Sequence, residues 1–153
     1  MSGIDVAIEN EKLEFKKSLA EKDEILKTIA AFSNSRGGTI LIGVDDDGSV
    51  VGVDMKKGDI EGLENLVNQL IEPKVYPEFQ IIPHENKLLI KVDVREGFNK
   101  PYFYKGACYV RKGTATRRLD RDGILELISL KTTFDFLVFE GECKISEELI
   151  EDF

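Results

Sequence analysis

Histidine and cysteine are scarce in this 153-residue chain, which has one histidine, His84, and two cysteines, Cys108 and Cys143. Three such side chains cannot furnish a four-ligand structural zinc site, so zinc is not expected. With a single histidine placed in an expected hairpin before Glu85-Asn86, no Ser/His/Asp or Cys/His constellation is available for nucleophilic catalysis. Two unpatterned thiols fit a reducing compartment, and Cys108, between Ala107 and Tyr109, reads as a small core residue. Long apolar runs are also missing. No stretch approaches the length of a membrane span, and the N-terminus has no basic region followed by an apolar segment, so the chain is expected to be cytoplasmic with no membrane partner. Gly37-Gly38 is not followed by Gly-Lys-Ser/Thr, nor does a glycine spacing complete a dinucleotide fingerprint, which argues against a nucleotide cofactor. A calcium loop starting at Asp45 fails as well, because Val50 stands where glycine is needed and Lys56 where a bidentate glutamate is needed.

What the chain has is an ordinary core and unevenly placed charge. At 42% hydrophobic residues, it suits one globular domain. The formal net charge is −8, but residues 134–153 hold seven acids (Asp135, Glu140, Glu142, Glu147, Glu148, Glu151, Asp152) against Lys144. That tail carries −6, leaving −2 for residues 1–133. Between Lys100 and Arg121 the balance reverses to +6, with seven basic residues against Asp120. A basic stripe of this kind suits phosphate contacts; a solvated hairpin with ordinary surface charges is the plainer alternative.

Periodicity gives a mixed α/β order, α+β in class. Leu13 to Ser18 reads as a strand, and Ile25, Leu26, Ile29, Ala30 and Phe32 recur at helical spacing up to Gly37-Gly38. Thr39 to Val44 is a buried strand, and Asp47-Gly48 a turn into a strand at Val50 to Val53. A second helix carries Ile60, Leu63, Val67, Leu70 and Ile71 and stops at Pro73. Phe79 to Ile82 and Lys87 to Val94 form a hairpin, Tyr102 to Leu119 two or three short strands, and Ile124 to Leu130 a third helix. The expected architecture is therefore a largely antiparallel sheet with about three helices. Residues 1–131 are expected to form the domain and 132–153 an extended acidic-apolar arm with a terminal helix, serving dimerisation or leading into a longer protein.

Asp45-Asp46-Asp47 supplies adjacent carboxylates at the end of a buried strand. They suit either a solvated tight turn or, with Glu9 and Glu14, a metal-assisted phosphodiester site. Glu9 and Glu14 are five residues apart, so neither a helix nor a strand brings them together and a bend between them is required. Pro101, Tyr102, Tyr104 and Tyr109 interleave with Lys100, Lys105, Arg111 and Lys112, a mixture suited to stacking on bases and pairing with phosphates, or to packing a sheet face.

Three separated blocks then occur in order: Glu14-Phe15-Lys16; the run from Ile29 through Asn34-Ser35-Arg36-Gly37-Gly38 to Gly48, with Val51-Gly52-Val53; and Lys100-Pro101-Tyr102 with Tyr109-Val110-Arg111-Lys112-Gly113 and Thr116-Arg117. Together they resemble the Schlafen-type AlbA_2 domain over about residues 4–130. The resemblance implies a nucleic-acid-binding domain. In vertebrate Schlafen proteins two such lobes form a cleft that cuts transfer and ribosomal RNA with a divalent metal held by two glutamates and an aspartate. By position these fall on Glu9, Glu14 and Asp46, the expected ligands of Mg²⁺ or Mn²⁺, with Lys16 as the catalytic lysine. Lys17, Arg36, Lys100, Tyr102, Lys105, Arg111, Lys112, Arg117 and Arg118 form the expected nucleic-acid contact set. One lobe in place of two implies a homodimer. The expected function is a metal-dependent endoribonuclease on structured, tRNA-like RNA, with RNA favoured over DNA as partner; the alternative is a non-catalytic DNA- or RNA-binding module of a transcriptional regulator.

Overall fold

The computed structural model describes residues 9–129. The expected C-terminal arm and the last residue of the expected third helix, Leu130, lie outside them. The chain divides after Leu119 into two compact units, Met1–Leu119 and Asp120–Phe153. The first contains β1 (Leu13–Lys16), α1 (Lys22–Asn34), β2 (Gly38–Ile42), α2 (Asp59–Leu70), β3 (Ile71–Glu72), β4 (Glu78–His84), β5 (Lys87–Val94), β6 (Phe103–Tyr104), β7 (Ala107–Lys112) and β8 (Ala115–Arg118). In the second unit, residues 121–129 form helix α3.

The strands make two four-stranded sheets, β1-β2-β5-β4 and β3-β6-β7-β8. Only β1 and β2 run parallel; every other named pairing is antiparallel. One expected strand is corrected: the segment after the Asp47-Gly48 turn makes a single bridge, Val44 with Val50, and no regular strand. The reason lies in its glycine, since Gly52 has φ +78° and both Val51 and Gly52 donate their N–H groups to the same acceptor, the Gly43 carbonyl.

Helix α1 packs against strands of both sheets. Ile25, Leu26, Ile29 and Phe32 are fully buried or nearly so, and they meet Ile40, Ile42, Ile90, Val92 and Tyr104 in the main core. Burying one such side chain contributes about 1.5–3 kcal/mol. The opposite face of the first sheet carries a smaller cluster of Phe15, Leu41, Val44 and Leu89. Because apolar side chains are buried on both faces, β2 reads as a continuous apolar run instead of an alternation.

The end of α1 is where the two sheets are joined. Gly37, at φ +75°, turns the chain back so that its N–H reaches the Phe32 carbonyl. A Cβ on Gly37 would stand 2.6 Å from the Val94 carbonyl oxygen, and one on Gly38 2.6 Å from the Phe32 ring. Just before them, the buried Asn34 side-chain amide donates to the carbonyls of Tyr102 (2.9 Å) and Tyr109 (2.8 Å) and to Cys108 Sγ (3.4 Å). Its Oδ1 accepts the Tyr102 N–H at 2.7 Å. One side chain thus replaces secondary-structure partners for the chain around β6 and β7. Asn34→Ala leaves these buried groups unpaired and is expected to lower stability by about 2–4 kcal/mol; a thermal melt unchanged from wild type would contradict this.

Candidate functional site

The bend required between Glu9 and Glu14 is present. Asn10 and Leu13 exchange N–H to O=C hydrogen bonds of 3.0 and 3.2 Å, a tight turn that folds Glu9 back over β1. Glu9 Oε1 then accepts the Phe15 N–H at 2.9 Å. In β1 the register pairs Glu14 with Ile40 and Phe15 with Leu41, so Phe15 joins the smaller apolar cluster while Glu14 and Lys16 share the other face. On the neighbouring turn, Asp45 Oδ1 accepts the Asp46 N–H at 2.8 Å, and Asp47 accepts from both the backbone and the hydroxyl of Ser49.

Glu9, Glu14, Lys16, Lys17, Glu21, Asp45 and Asp46 line one cleft of about 560 Å³. Burial raises the Glu9 carboxyl above its ordinary value; the Phe15 N–H opposes the shift, and the nearby charges of Glu14 and Asp46 add to it. The charges of Glu14 and Asp46 thus both act on Glu9. Glu21 is a further member that the sequence reading missed. Its carboxylate accepts the Lys17 and Ser18 N–H groups at 2.9 and 3.3 Å. The signal was present in Ser18-Leu19-Ala20-Glu21, a capping-box spacing ahead of an apolar helix.

Glu14 is not free. Its Oε1 lies 2.6 Å from an Arg111 Nη1 that is almost wholly buried, and its Oε2 lies 3.2 Å from Lys16 Nζ. The Arg111 guanidinium also donates to the carbonyls of Asn10 (3.0 Å) and Leu13 (3.2 Å) and to Thr116 Oγ1 (3.3 Å), and it sits 5.2 Å from the centre of the Phe32 ring. Glu14 Oε1 and Arg111 Nε have no aligned hydrogen-bond partner among the described residues, so the Glu14 contact is a close ion pair with imperfect geometry. Among the described residues, no three histidine, cysteine, aspartate or glutamate side chains are placed to hold a metal ion together.

The expected contact set separates accordingly. Arg111 is 5% exposed and Tyr102 3%, which removes both from a phosphate or base surface as the chain is folded here. Tyr102 Oη accepts the Asn99 N–H at 2.9 Å. Lys100 Nζ is paired with Glu96 at 2.6 Å, and Lys17 Nζ with Asp45 at 3.6 Å. Lys105 is exposed at φ +49°, with its ammonium 5.5 Å from the Tyr104 ring centre. Arg36 is exposed on the turn after α1. Lys112, Arg117 and Arg118 are exposed on the β7–β8 hairpin and have no acidic partner among the described residues.

The electrostatic meeting of the acids has a measurable sign. The folded state holds the Glu9 proton more tightly than the unfolded chain, so ionising Glu9 costs stability as pH rises past the ordinary carboxylate range. Asp46→Asn is expected to move the Glu9 titration down towards its ordinary value in a carboxyl NMR titration; an unmoved Glu9 would mean that the two groups do not interact.

Comparison with known proteins agrees with this architecture. Residues 9–120 match the family model described as Schlafen, AlbA_2. The DIP2311 protein of Corynebacterium diphtheriae superposes with a TM-score of 0.62 at 18% identity over 76% of this chain, which spans 23% of that chain's length. The N-terminal domain of a RecG-related protein from Nitrosomonas europaea superposes with a TM-score of 0.56 at 25% identity, covering 76% of this chain and 88% of that one. With the family model spanning most of the described residues and carrying both the acidic cleft and the basic hairpin, this chain belongs to the Schlafen AlbA_2 family.

Proposed function

We propose that this domain binds nucleic acid by its backbone, using the β7–β8 hairpin as the contact surface. The observation that carries this reading is the set of exposed cations Lys112, Arg117 and Arg118 on one hairpin, with no acid anywhere in residues 107–119. Cations without intramolecular partners lose little when they exchange water for phosphate, whereas paired ones must first give up a carboxylate. The register sets Arg117 opposite Val110 and Arg118 opposite Tyr109, so neighbouring arginines project from opposite faces and reach phosphates on either side of the ribbon. Lys105 and Arg36 extend the contact set. The family itself and the N. europaea neighbour, named for its relation to the ATP-dependent DNA helicase RecG, point to the same class of partner. Structured RNA is the favoured ligand and a homodimer the favoured assembly in this proposal, two hairpins then supplying what one lobe lacks.

Charge reversal at Lys112, Arg117 and Arg118 together is expected to weaken binding of a tRNA more than tenfold, with an unchanged circular dichroism spectrum because all three side chains are exposed. Unaltered affinity in that variant would refute the hairpin as the interface.

The cleft carries a second reading, metal-dependent cleavage of the bound RNA, because Glu9, Glu14, Asp46 and Lys16 line one space. Carboxylates are suitable donors for Mg²⁺ or Mn²⁺, which would polarise a phosphate and activate water. The arrangement does not fit such an ion as it stands, since Glu14 is held by Arg111 and Lys16 and one Glu9 oxygen by the Phe15 N–H. Incubating total tRNA with the protein in Mn²⁺ and in EDTA separates the readings. A retarded but intact tRNA band under both conditions is expected; discrete fragments that disappear in EDTA and in Glu14→Gln would establish the nuclease.

A further inference from the structure

We infer that Arg111 and Lys16 are the resident cations of the acidic cleft, occupying both oxygens of Glu14 so that the folded chain has no divalent-ion site there. This goes beyond the binding role of the hairpin and stands or falls separately from it. Arg111 comes from the second sheet and Lys16 from β1 itself, and they hold the Glu14 carboxylate at 2.6 and 3.2 Å from opposite oxygens. A hard divalent ion needs those same lone pairs at shorter range and in near-octahedral order.

Displacing Arg111 is opposed by what else it holds. Its guanidinium is fastened to the Asn10 and Leu13 carbonyls, to Thr116 and over the Phe32 ring. Withdrawing Glu14 towards an ion would leave a buried guanidinium without its counter-charge, which is among the costlier changes inside a fold. The other acids of the cleft are mostly engaged too. Asp45 is bonded to the Asp46 N–H and paired with Lys17, Glu21 caps the Lys17 and Ser18 amides, and Glu9 Oε1 holds Phe15. That leaves Asp46 and one oxygen each of Glu9 and Glu21 uncommitted in the described cleft, and among the described residues no three such side chains are placed to hold an ion together.

The two cations also alter what the cleft offers to an approaching polyanion. Five acids line it (Glu9, Glu14, Glu21, Asp45, Asp46), and without Arg111, Lys16 and Lys17 that wall would repel phosphate. With them, two of the five carboxylates, Glu14 and Asp45, are paired inside the protein.

Mn²⁺ titration of the full chain, followed by electron paramagnetic resonance of the free ion, tests this directly. Wild type and Asp46→Asn, whose exposed side chain is not needed for folding, are expected to bind Mn²⁺ alike, with no cleft site tighter than about 1 mM. Arg111→Met is expected to gain a site at least tenfold tighter, lost again in Arg111→Met/Asp46→Asn. Should Arg111→Met fail to fold by circular dichroism, Lys16→Met, at the cleft's edge, frees the other Glu14 oxygen and is expected to show the same gain. Wild type binding Mn²⁺ at least tenfold more tightly than Asp46→Asn would overturn the inference, as would a folded Lys16→Met or Arg111→Met with no gain.

Discussion

Much of this fold depends on one buried arginine. Arg111 leaves β7, passes over the Phe32 ring and ends against Glu14 and the Asn10–Leu13 turn, so a single guanidinium links the second sheet, α1 and the edge strand of the first sheet. Its own backbone N–H is held by Ser35 Oγ at 3.0 Å. The turn that brings Glu9 over β1 is the one whose Asn10 and Leu13 carbonyls accept hydrogen bonds from Arg111. A buried guanidinium demands a carboxylate and several carbonyl acceptors, and β1 with the turn before it supplies the carboxylate and two carbonyls within Asn10–Glu14.

The family's sequence blocks divide, in physical terms, between holding the sheets together and facing solvent. Asn34, Ser35, Gly37 and Gly38 act on the interior, through side-chain hydrogen bonds and through close approach to Val94 and Phe32. Arg111 and Tyr102 belong with them. What remains exposed is Arg36, the acidic turn at Asp46-Asp47, and the hairpin with Lys112, Arg117 and Arg118. The exposed negative and positive charges are therefore carried on separate turns of one scaffold.

The helices, the β4–β5 hairpin and the three short strands near the end of the first unit were legible because period and turn chemistry agree there: Ile25, Ile29 and Phe32 of α1 and Leu63 and Val67 of α2 are buried at three- and four-residue spacing, although α1 is buried all round from Thr28 to Asn34, and Glu85 takes the positive φ between β4 and β5. Glu9, Glu14 and Asp46 stood out in the sequence, and all three line one cleft. Their meeting was not legible, because it depends on a turn of Asn10-Glu11-Lys12-Leu13 that has neither glycine nor proline. Arg111 and Tyr102 were misassigned to the surface for a related reason. Alternating basic and aromatic residues look alike whether a strand faces water or a packed helix, and only the location of Asn34, Phe32 and Glu14 decides that they turn inward. The strand expected at Val50 to Val53 was lost to the φ of Gly52, which a pattern of valines conceals.

A polyanion met by the exposed cations of the proposed hairpin interface should be bound electrostatically and without metal. The most direct measurement is fluorescence anisotropy of a labelled tRNA with the full chain across a salt series, in EDTA and again in Mg²⁺. The account predicts an affinity no higher in Mg²⁺ than in EDTA and a log–log salt slope of about −2 to −3 or steeper for each hairpin engaged, its three cations neutralising three phosphates. Binding that requires Mg²⁺, or that is indifferent to salt, would contradict it.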